Sequence, residues 1–280
     1  MKALGKCSAL TVAMAFAAVG SAAQADVVWD RIAERGKIVC GAIPNDKIGS
    51  WHDRVSGQWE GYEIELCRAI AADLSAEMGK EIVPEFRETS WKTVVLDLQA
   101  SKIDLWPGMS ATEERKKALS MIGPMYDLAF CGVNSKSFTG GATWESLNDP
   151  SVRIATVTGT SVETAFKEGA PNATHVSLGE YAEVTLAVQS GRADVMGADI
   201  LRCVNVRSAA PDAFGQITVP EPLKSMGSSA GILKEADRLA EWLTVWAEEK
   251  RASGAVTEIF MKAFEAAGVD IAELPPEVKF

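Results

Sequence analysis

Two segments of the chain repeat one order of residue types, and each delivers a charge. The first runs Gln99-Ala-Ser-Lys-Ile-Asp104, then Leu-Trp-Pro-Gly-Met-Ser110, then Ala-Thr-Glu-Glu-Arg115. The second runs Gln189-Ser-Gly-Arg-Ala-Asp194, then Val-Met-Gly-Ala-Asp199. In both, a helix-like run ends in small and basic residues, and a short apolar strand then opens into a Gly-containing loop. Ligands of open α/β sheets sit just beyond the carboxyl ends of strands. One copy delivers the guanidinium of Arg115, the other the carboxylate of Asp199. On opposite walls of one cleft these charges would hold the two ends of a zwitterion. The plainer readings are an exposed arginine in a helical first turn and an aspartate that merely caps the helix after it.

Strand-like and helix-like runs alternate around these segments. Residues 37–43 read as a buried strand, and 44–58 as a polar loop at its end. Ile64, Cys67, Ile70, Ala71, Leu74 and Met78 recur at helical spacing from Tyr62, and Gly79 stops that run. Residues 82–86 are strand-like, and Ser90 can cap a helix with Trp91, Val94, Val95 and Leu98 on one face. A strand at 103–106 follows, and Thr112 caps a short helix whose first turn holds Arg115. After a strand at 128–133, residues 135–150 are loop-like. Strands at 152–157 and 193–197 then alternate with helices opening at Thr160, Tyr181 and Ile200. Two apolar stripes, Leu239/Trp242/Leu243/Trp246 and Val256/Ile259/Phe260/Ala263/Phe264, close the chain and read as core.

Alternation of this kind predicts an α/β fold with parallel-type sheets covered by helices. The order predicts two lobes: 26–128 plus 220–280, with 129–219 inserted between them and two chain crossings forming a hinge. Residues 1–25 stand apart. Lys2 and Lys6 precede an apolar run from Leu10 to Val19, and Ser21-Ala-Ala-Gln-Ala25 ends in a small-residue cleavage pattern. This is a secretory signal peptide, and the apolar run is too short to span a bilayer. Cleavage after Ala25 takes the net charge from -10 to -12. Such an acidic chain is a poor ligand for nucleic acid or an anionic membrane.

Several pieces together carry a resemblance. They are Gly61-Tyr-Glu-Ile-Glu-Leu66, Ile103-Asp104, Gly108-Met-Ser110, Thr112-Glu-Glu-Arg115, Gly159-Thr160-Ser161, and Gly191-Arg-Ala-Asp194 through Asp199. In this order and spacing the chain resembles the polar amino-acid-binding proteins of bacterial ABC importers, the extracellular solute-binding proteins of family 3. The resemblance implies the two-lobed type II periplasmic-binding-protein fold with mixed sheets and a two-stranded hinge. It implies that Arg115 grips the ligand α-carboxylate, assisted by Ser110 and by the helix N-terminus at Thr160 and Ser161. It implies that Asp199 and the carbonyl of Gly108 meet the α-ammonium, and that Trp91 packs on the ligand side chain. The first loop departs from the family, leaving Asp46, Trp51 or Trp59 as candidates for a side-chain contact, and Pro107 replaces a small or hydroxyl residue.

The function expected is therefore a periplasmic, non-enzymatic receptor. It would capture an α-amino acid in an interlobe cleft and deliver it, as a monomer without cofactor or metal, to an inner-membrane ABC permease. The alternative is a cyclohexadienyl (prephenate/arogenate) dehydratase on the same fold, using a lone acid such as Glu63 or Asp199. With 2 histidines the chain offers no Ser-His-Asp or Cys-His set. Cys40, Cys67, Cys131 and Cys203 remain after cleavage, and three pairings are open to them. Bridges within lobes would be Cys40–Cys67 and Cys131–Cys203, and four buried free thiols are the alternative.

Overall fold

The computed structural model describes residues 26–269. The signal peptide expected over 1–25 lies outside the described residues, as do 270–280. In chain order the elements begin α1 (Val27–Arg35), β1 (Lys37–Ala42), β2 (Trp51–His52), β3 (Trp59–Glu60), α2 (Tyr62–Met78) and β4 (Val83–Glu88). They continue α3 (Val94–Gln99), β5 (Leu105–Ser110), α4 (Glu113–Ala118), β6 (Leu119–Asn134), α5 (Trp144–Leu147) and β7 (Arg153–Val157). Then come α6 (Ser161–Gly169), β8 (Thr174–Leu178), α7 (Tyr181–Gln189), β9 (Val195–Asp199) and α8 (Ile200–Ala209). The last are β10 (Ile217–Thr218), β11 (Ser225–Leu233), α9 (Asp237–Ala252) and α10 (Ala255–Ala266).

The strands lie in the order β4-β1-β5-β11-β6-β9-β7-β8, with β10 also on β6 and β2–β3 as a separate hairpin. The 16-residue β6 belongs to both halves of this sheet. Its residues from Leu119 to Ala129 pair with β11, and those from Phe130 to Asn134 pair with β9. The chain passes between the halves once within β6 and again between β10 and β11. There the Phe130 N–H donates to the Lys224 carbonyl at 3.0 Å.

The duplicated segments build the same joint in each half. In the first, Asp104 precedes β5 and accepts from the Val39 N–H of β1 at 2.9 Å, while its carboxylate also takes Arg31 and Arg35. In the second, Asp194 precedes β9 and accepts from the Arg153 N–H of β7 at 2.8 Å, while taking the same residue's guanidinium. Each aspartate ties its strand to a parallel neighbour. The residues at the far end of each strand are therefore held at the sheet's carboxyl edge.

Helical periodicity places α2 as expected. Its Ile64, Leu66, Ile70 and Leu74 are buried, and Gly79 ends it in the left-handed region at φ 61°. Full burial of each such side chain stabilises by roughly 1.5–3 kcal/mol. Across from it, α10 brings Phe260 onto Tyr62 with ring centroids 4.3 Å apart. Leu239, Leu243 and Trp246 of α9 are buried in the same cluster, while Trp242 is only half-buried against Trp29.

Three local expectations are corrected. The helix expected from Ser90 begins at Val94, because the N–H groups of Thr93 and Val94 both turn back to the Ser90 carbonyl. Trp91 thus stands in a turn rather than on a helix face. The 135–150 loop contains α5, whose Thr143 and Ser146 cap one another reciprocally. Three strand segments, the first part of β6, β8 and β11, extend the sheet beyond the expected strands.

Each disulfide lies within a single half of the molecule. Cys40 on β1 joins Cys67 on α2, and Cys131 on β6 joins Cys203 on α8, with sequence separations of 27 and 72. Constraint of the unfolded chain by loops of these lengths stabilises by about 3.5 and about 4.5 kcal/mol. Urea titration should therefore show Cys131→Ala/Cys203→Ala losing more stability than Cys40→Ala/Cys67→Ala. The opposite order would mean that native strain or residual unfolded structure dominates.

Candidate ligand-binding site

The end of β5 and the short α4 present Arg115. Thr112 caps α4 by accepting from the Arg115 N–H at 3.2 Å, which fixes the residue in the first turn. The arginine is only 7% exposed, an unusual state for this residue. Its guanidinium donates to the carbonyls of Ser110 at 3.0 Å and Gly159 at 3.5 Å. Its Cζ lies 5.5 Å from the centre of the Trp91 ring. Among the described residues it forms no ion pair with a carboxylate. Burial lowers its pKa, since removing it from water costs the charged form.

The end of β9 presents Asp199. It caps α8, with one carboxylate oxygen accepting from the Arg202 N–H at 3.0 Å. The plain capping role is thus present. The carboxylate is half-buried, and burial raises its pKa. It too forms no ion pair among the described residues. Between the two charges, Ser110 and Ser161 meet hydroxyl to hydroxyl at 2.8 Å. Thr160 caps α6 by accepting from the Glu163 N–H at 3.2 Å. The α6 N-terminus therefore faces the same space with its positive dipole end.

These groups line one small cavity of about 40 Å³. Of the residues anticipated from the sequence, Trp91, Ser110, Arg115, Thr160, Ser161 and Asp199 surround it, together with Phe130, Tyr181 and Met226. A second cavity of about 240 Å³ adjoins it and shares Trp91 and Tyr181. Ile43, Asn45, Arg202, Asn205, Val206 and Phe214 line this larger space.

Gly108 and Trp51 line neither cavity. Gly108 lies on β5, where a Cβ would stand 2.2 Å from a carboxylate oxygen of Glu63 and 2.9 Å from the Tyr126 hydroxyl. Close approach of Glu63, rather than a turn, accounts for the glycine. Trp51 lies on β2 with the Lys47 ammonium 5.6 Å from its ring centre. Trp59 stacks on His52 at 4.4 Å.

Arg202, Asn205 and Tyr181 were not singled out from the sequence. Arg202 pairs with Asp46 at 2.6 Å and lies over the Tyr181 ring at 4.3 Å. The available signal was its spacing: three residues after Asp199, it shares a face of α8 with the cap. Tyr181 opens α7 and reaches both cavities.

Glu63 sits behind the site in the first turn of α2, 6% exposed. The Tyr62 hydroxyl donates to it at 3.4 Å and lies 2.6 Å from the Tyr126 hydroxyl. Burial first, then the nearby Asp46 carboxylate, pushes its pKa up to about 8. It is protonated at neutral pH.

The sequence model of "Bacterial extracellular solute-binding proteins, family 3" matches residues 50–266. The chain is 26% identical over 234 residues to the ABC transporter glutamine-binding protein GlnH of Bacillus subtilis (strain 168), covering 82% of each. It is similar to the crystal structure of the ancestral amino acid-binding protein AncCDT-1, a precursor of cyclohexadienyl dehydratase. There the TM-score is 0.71 and the identity 28%, over 84% of this chain and 98% of that one. The amino acid ABC transporter substrate-binding protein AbpA of Streptococcus pneumoniae, bound to L-arginine, shares the fold with a TM-score of 0.73 at 23% identity. The match covers 85% of this chain and 98% of AbpA.

The buried acid has a consequence for stability. Between the ordinary value of 4.5 and about 8, folded Glu63 keeps a proton that the unfolded chain has lost. Stability then falls as pH rises through that window, by on the order of a few kcal/mol. In Glu63→Gln this contribution should vanish, so the variant gains on the wild type as pH rises from about 5 to about 8. Urea unfolding at both ends of the window checks it, and parallel pH profiles would place the titration elsewhere.

Proposed function

We propose that this chain, which belongs to the bacterial extracellular solute-binding proteins of family 3, captures one α-amino acid between two lobes and hands it to an ABC permease. One observation carries the reading. Arg115 and Asp199, opposite in sign and without ion-pair partners among the described residues, line the same cavity. A free α-amino acid supplies both missing partners. Its carboxylate would lie between the Arg115 guanidinium, the Ser110 hydroxyl and the N-terminus of α6. Bidentate arginine contact and the free N–H groups of a helix start both favour a carboxylate there. Its ammonium would lie on Asp199, and its side chain would extend past Trp91 and Tyr181 into the larger cavity.

The lobes correspond to residues 26–128 with 220–280, and 129–219, and the hinge to the two passages between the half-sheets. Arg115 comes from the first lobe and Asp199 from the second. The ligand bridges them, so closure is driven by contacts that exist only in the closed arrangement. In this reading the small cavity beside Arg115 corresponds to a closed cleft.

Catalysis plays no part in this reading. A dehydratase would need a free acid at the reacting ring. Of the two candidates, Glu63 lines neither cavity, and Asp199, which lines the smaller one, is assigned in this reading to the ligand ammonium. The receptor acts as a monomer in the periplasm, released from a signal peptide cut between Ala25 and Asp26. Asp26 itself supports that boundary. It caps α1 through the Val28 and Trp29 N–H groups, and its other oxygen accepts from the Arg238 N–H of α9 at 2.7 Å. A cut beyond it would remove a cap shared by two helices. N-terminal sequencing of the mature protein should begin at Asp26.

A thermal-shift screen against the amino acids identifies the ligand, because binding to the folded state alone raises the melting temperature. Arg115→Ala should then cost about a hundredfold or more in affinity, as breaking a buried charge pair costs roughly 3–5 kcal/mol. Calorimetric titration giving wild-type affinity would remove Arg115 from the site. Asp199→Asn should weaken amino acids while sparing analogues that lack the amine. If it lowers only the stability, Asp199 serves as a helix cap alone.

A further inference from the structure

The larger cavity is the place for the ligand side chain, and Arg202, the buried charge in its wall, is already paired with Asp46, which stands behind the lining. Arg202 on α8 and Asp46 in the loop after β1 form an ion pair at 2.6 Å, with side chains 9% and 17% exposed. Further contacts hold the pair, although the Arg202 Nε is buried without a hydrogen-bond partner. The Arg202 guanidinium donates to the Asn45 carbonyl at 3.4 Å and lies 4.3 Å over the Tyr181 ring. Asp46 accepts from the Asn205 side chain at 3.2 Å and from the Ile48 N–H at 3.1 Å. Arg202 and Asn205 line the cavity, and Ile43, Val206 and Phe214 make much of the rest apolar. Glu180 is the other charged lining residue and stands exposed, where solvent screens it.

We infer that the Arg202–Asp46 pair is the specificity-determining element of the side-chain pocket, and that it selects amino acids with uncharged side chains. The inference rests on the α-amino-acid reading above and deepens it. The two partners come from opposite sides of the cleft, so the pair forms only as the cleft shuts. An acidic side chain in the cavity would compete for Arg202 and leave Asp46 buried without its cation. A basic one would face the Arg202 guanidinium in the wall and reach Asp46 only by displacing it, leaving Arg202 unpaired. Either outcome breaks a desolvated pair, which is strongly unfavourable. An uncharged side chain leaves it intact. The charges at the two ends of the ligand agree with this: Arg115 and Asp199 already balance the zwitterion, so the whole cleft accepts a molecule of zero net charge.

Isosteric ligands test the inference directly. Calorimetric titration of the full mature protein at pH 7 with glutamine, glutamate, methionine and arginine should give its tightest binding to an uncharged member. Glutamate and arginine should be weaker by roughly a hundredfold. In Asp46→Asn, Arg202 is left with its charge, and the glutamate-to-glutamine affinity ratio should rise by about tenfold or more. In Arg202→Gln, Asp46 is left with its charge, and the arginine-to-glutamine ratio should rise by a similar factor. The double variant removes both charges and should return to the wild-type order. The wild-type panel decides the matter even if a variant does not fold: preference for glutamate or arginine over both uncharged members overturns the inference. So do variants whose affinities fall uniformly with unchanged ratios. Failure of every standard amino acid to bind would instead overturn the functional reading beneath it.

Discussion

A guanidinium taken out of water keeps its charge, and the surroundings must replace the lost hydration. Around Arg115 they do so incompletely. Two carbonyls and the face of Trp91 solvate it, and no carboxylate of the described residues joins them. Carbonyl dipoles and a ring quadrupole stabilise a cation without cancelling it. The protein thus holds a buried positive charge that an incoming anion can neutralise. At Asp199 the α8 cap supplies one backbone N–H, and the nearby Arg202 guanidinium, paired with Asp46, acts on it without forming an ion pair. Much of the fold can be understood as the means of holding a buried cation and a half-buried anion on separate elements.

Keeping them apart requires rigid supports in two places, and the duplicated segments provide them. Asp104 and Asp194 do the same work in each half, each tying the start of a strand to the backbone of its parallel neighbour. After the first strand the chain turns into α4 and offers a cation from the helix's first turn. After the second it caps α8 with an anion. One architectural unit gives opposite charges because the functional residue sits on opposite sides of a helix start. The long β6 strand then joins the two units into one sheet while letting their pairing partners change at Ala129 and Phe130.

Elements with strong local signals were legible in the sequence. The spacing from Tyr62 to Gly79, the Thr112 and Thr160 caps and the helix from Tyr181 all appear where the pattern put them. The strand β11 was not legible, and its residues explain why. Ser225-Met-Gly-Ser-Ser-Ala-Gly carries no alternation and little strand propensity, yet it lies mid-sheet between β5 and β6. Its pairing is decided by neighbours about a hundred residues away. Near Gly231 a Cβ would stand 2.7 Å from the Met109 sulfur, so smallness there serves packing that no local window reveals. The early part of β6 hides similarly, because Gly123-Pro124 reads as a turn inside a strand that bulges.

The site divides along the same line. The residues proposed for the ends of the ligand were legible because Arg115 and Asp199 are each placed by a local motif, at a strand end or a helix start. The side-chain pocket was not. Arg202 in its wall is paired with Asp46, a contact between α8 and the loop after β1, which are far apart in the sequence. Asp46 was visible as a polar residue in the first loop, but its sequence context names no partner. Arg202 was visible only as one more basic residue on a helix. In the proposed reading, recognition of the common part of the ligand is encoded locally, in residues placed by their own turns and caps. Discrimination among side chains is encoded in a contact between the halves, where a change at either partner alters the pocket without disturbing the charges that hold the amino-acid frame.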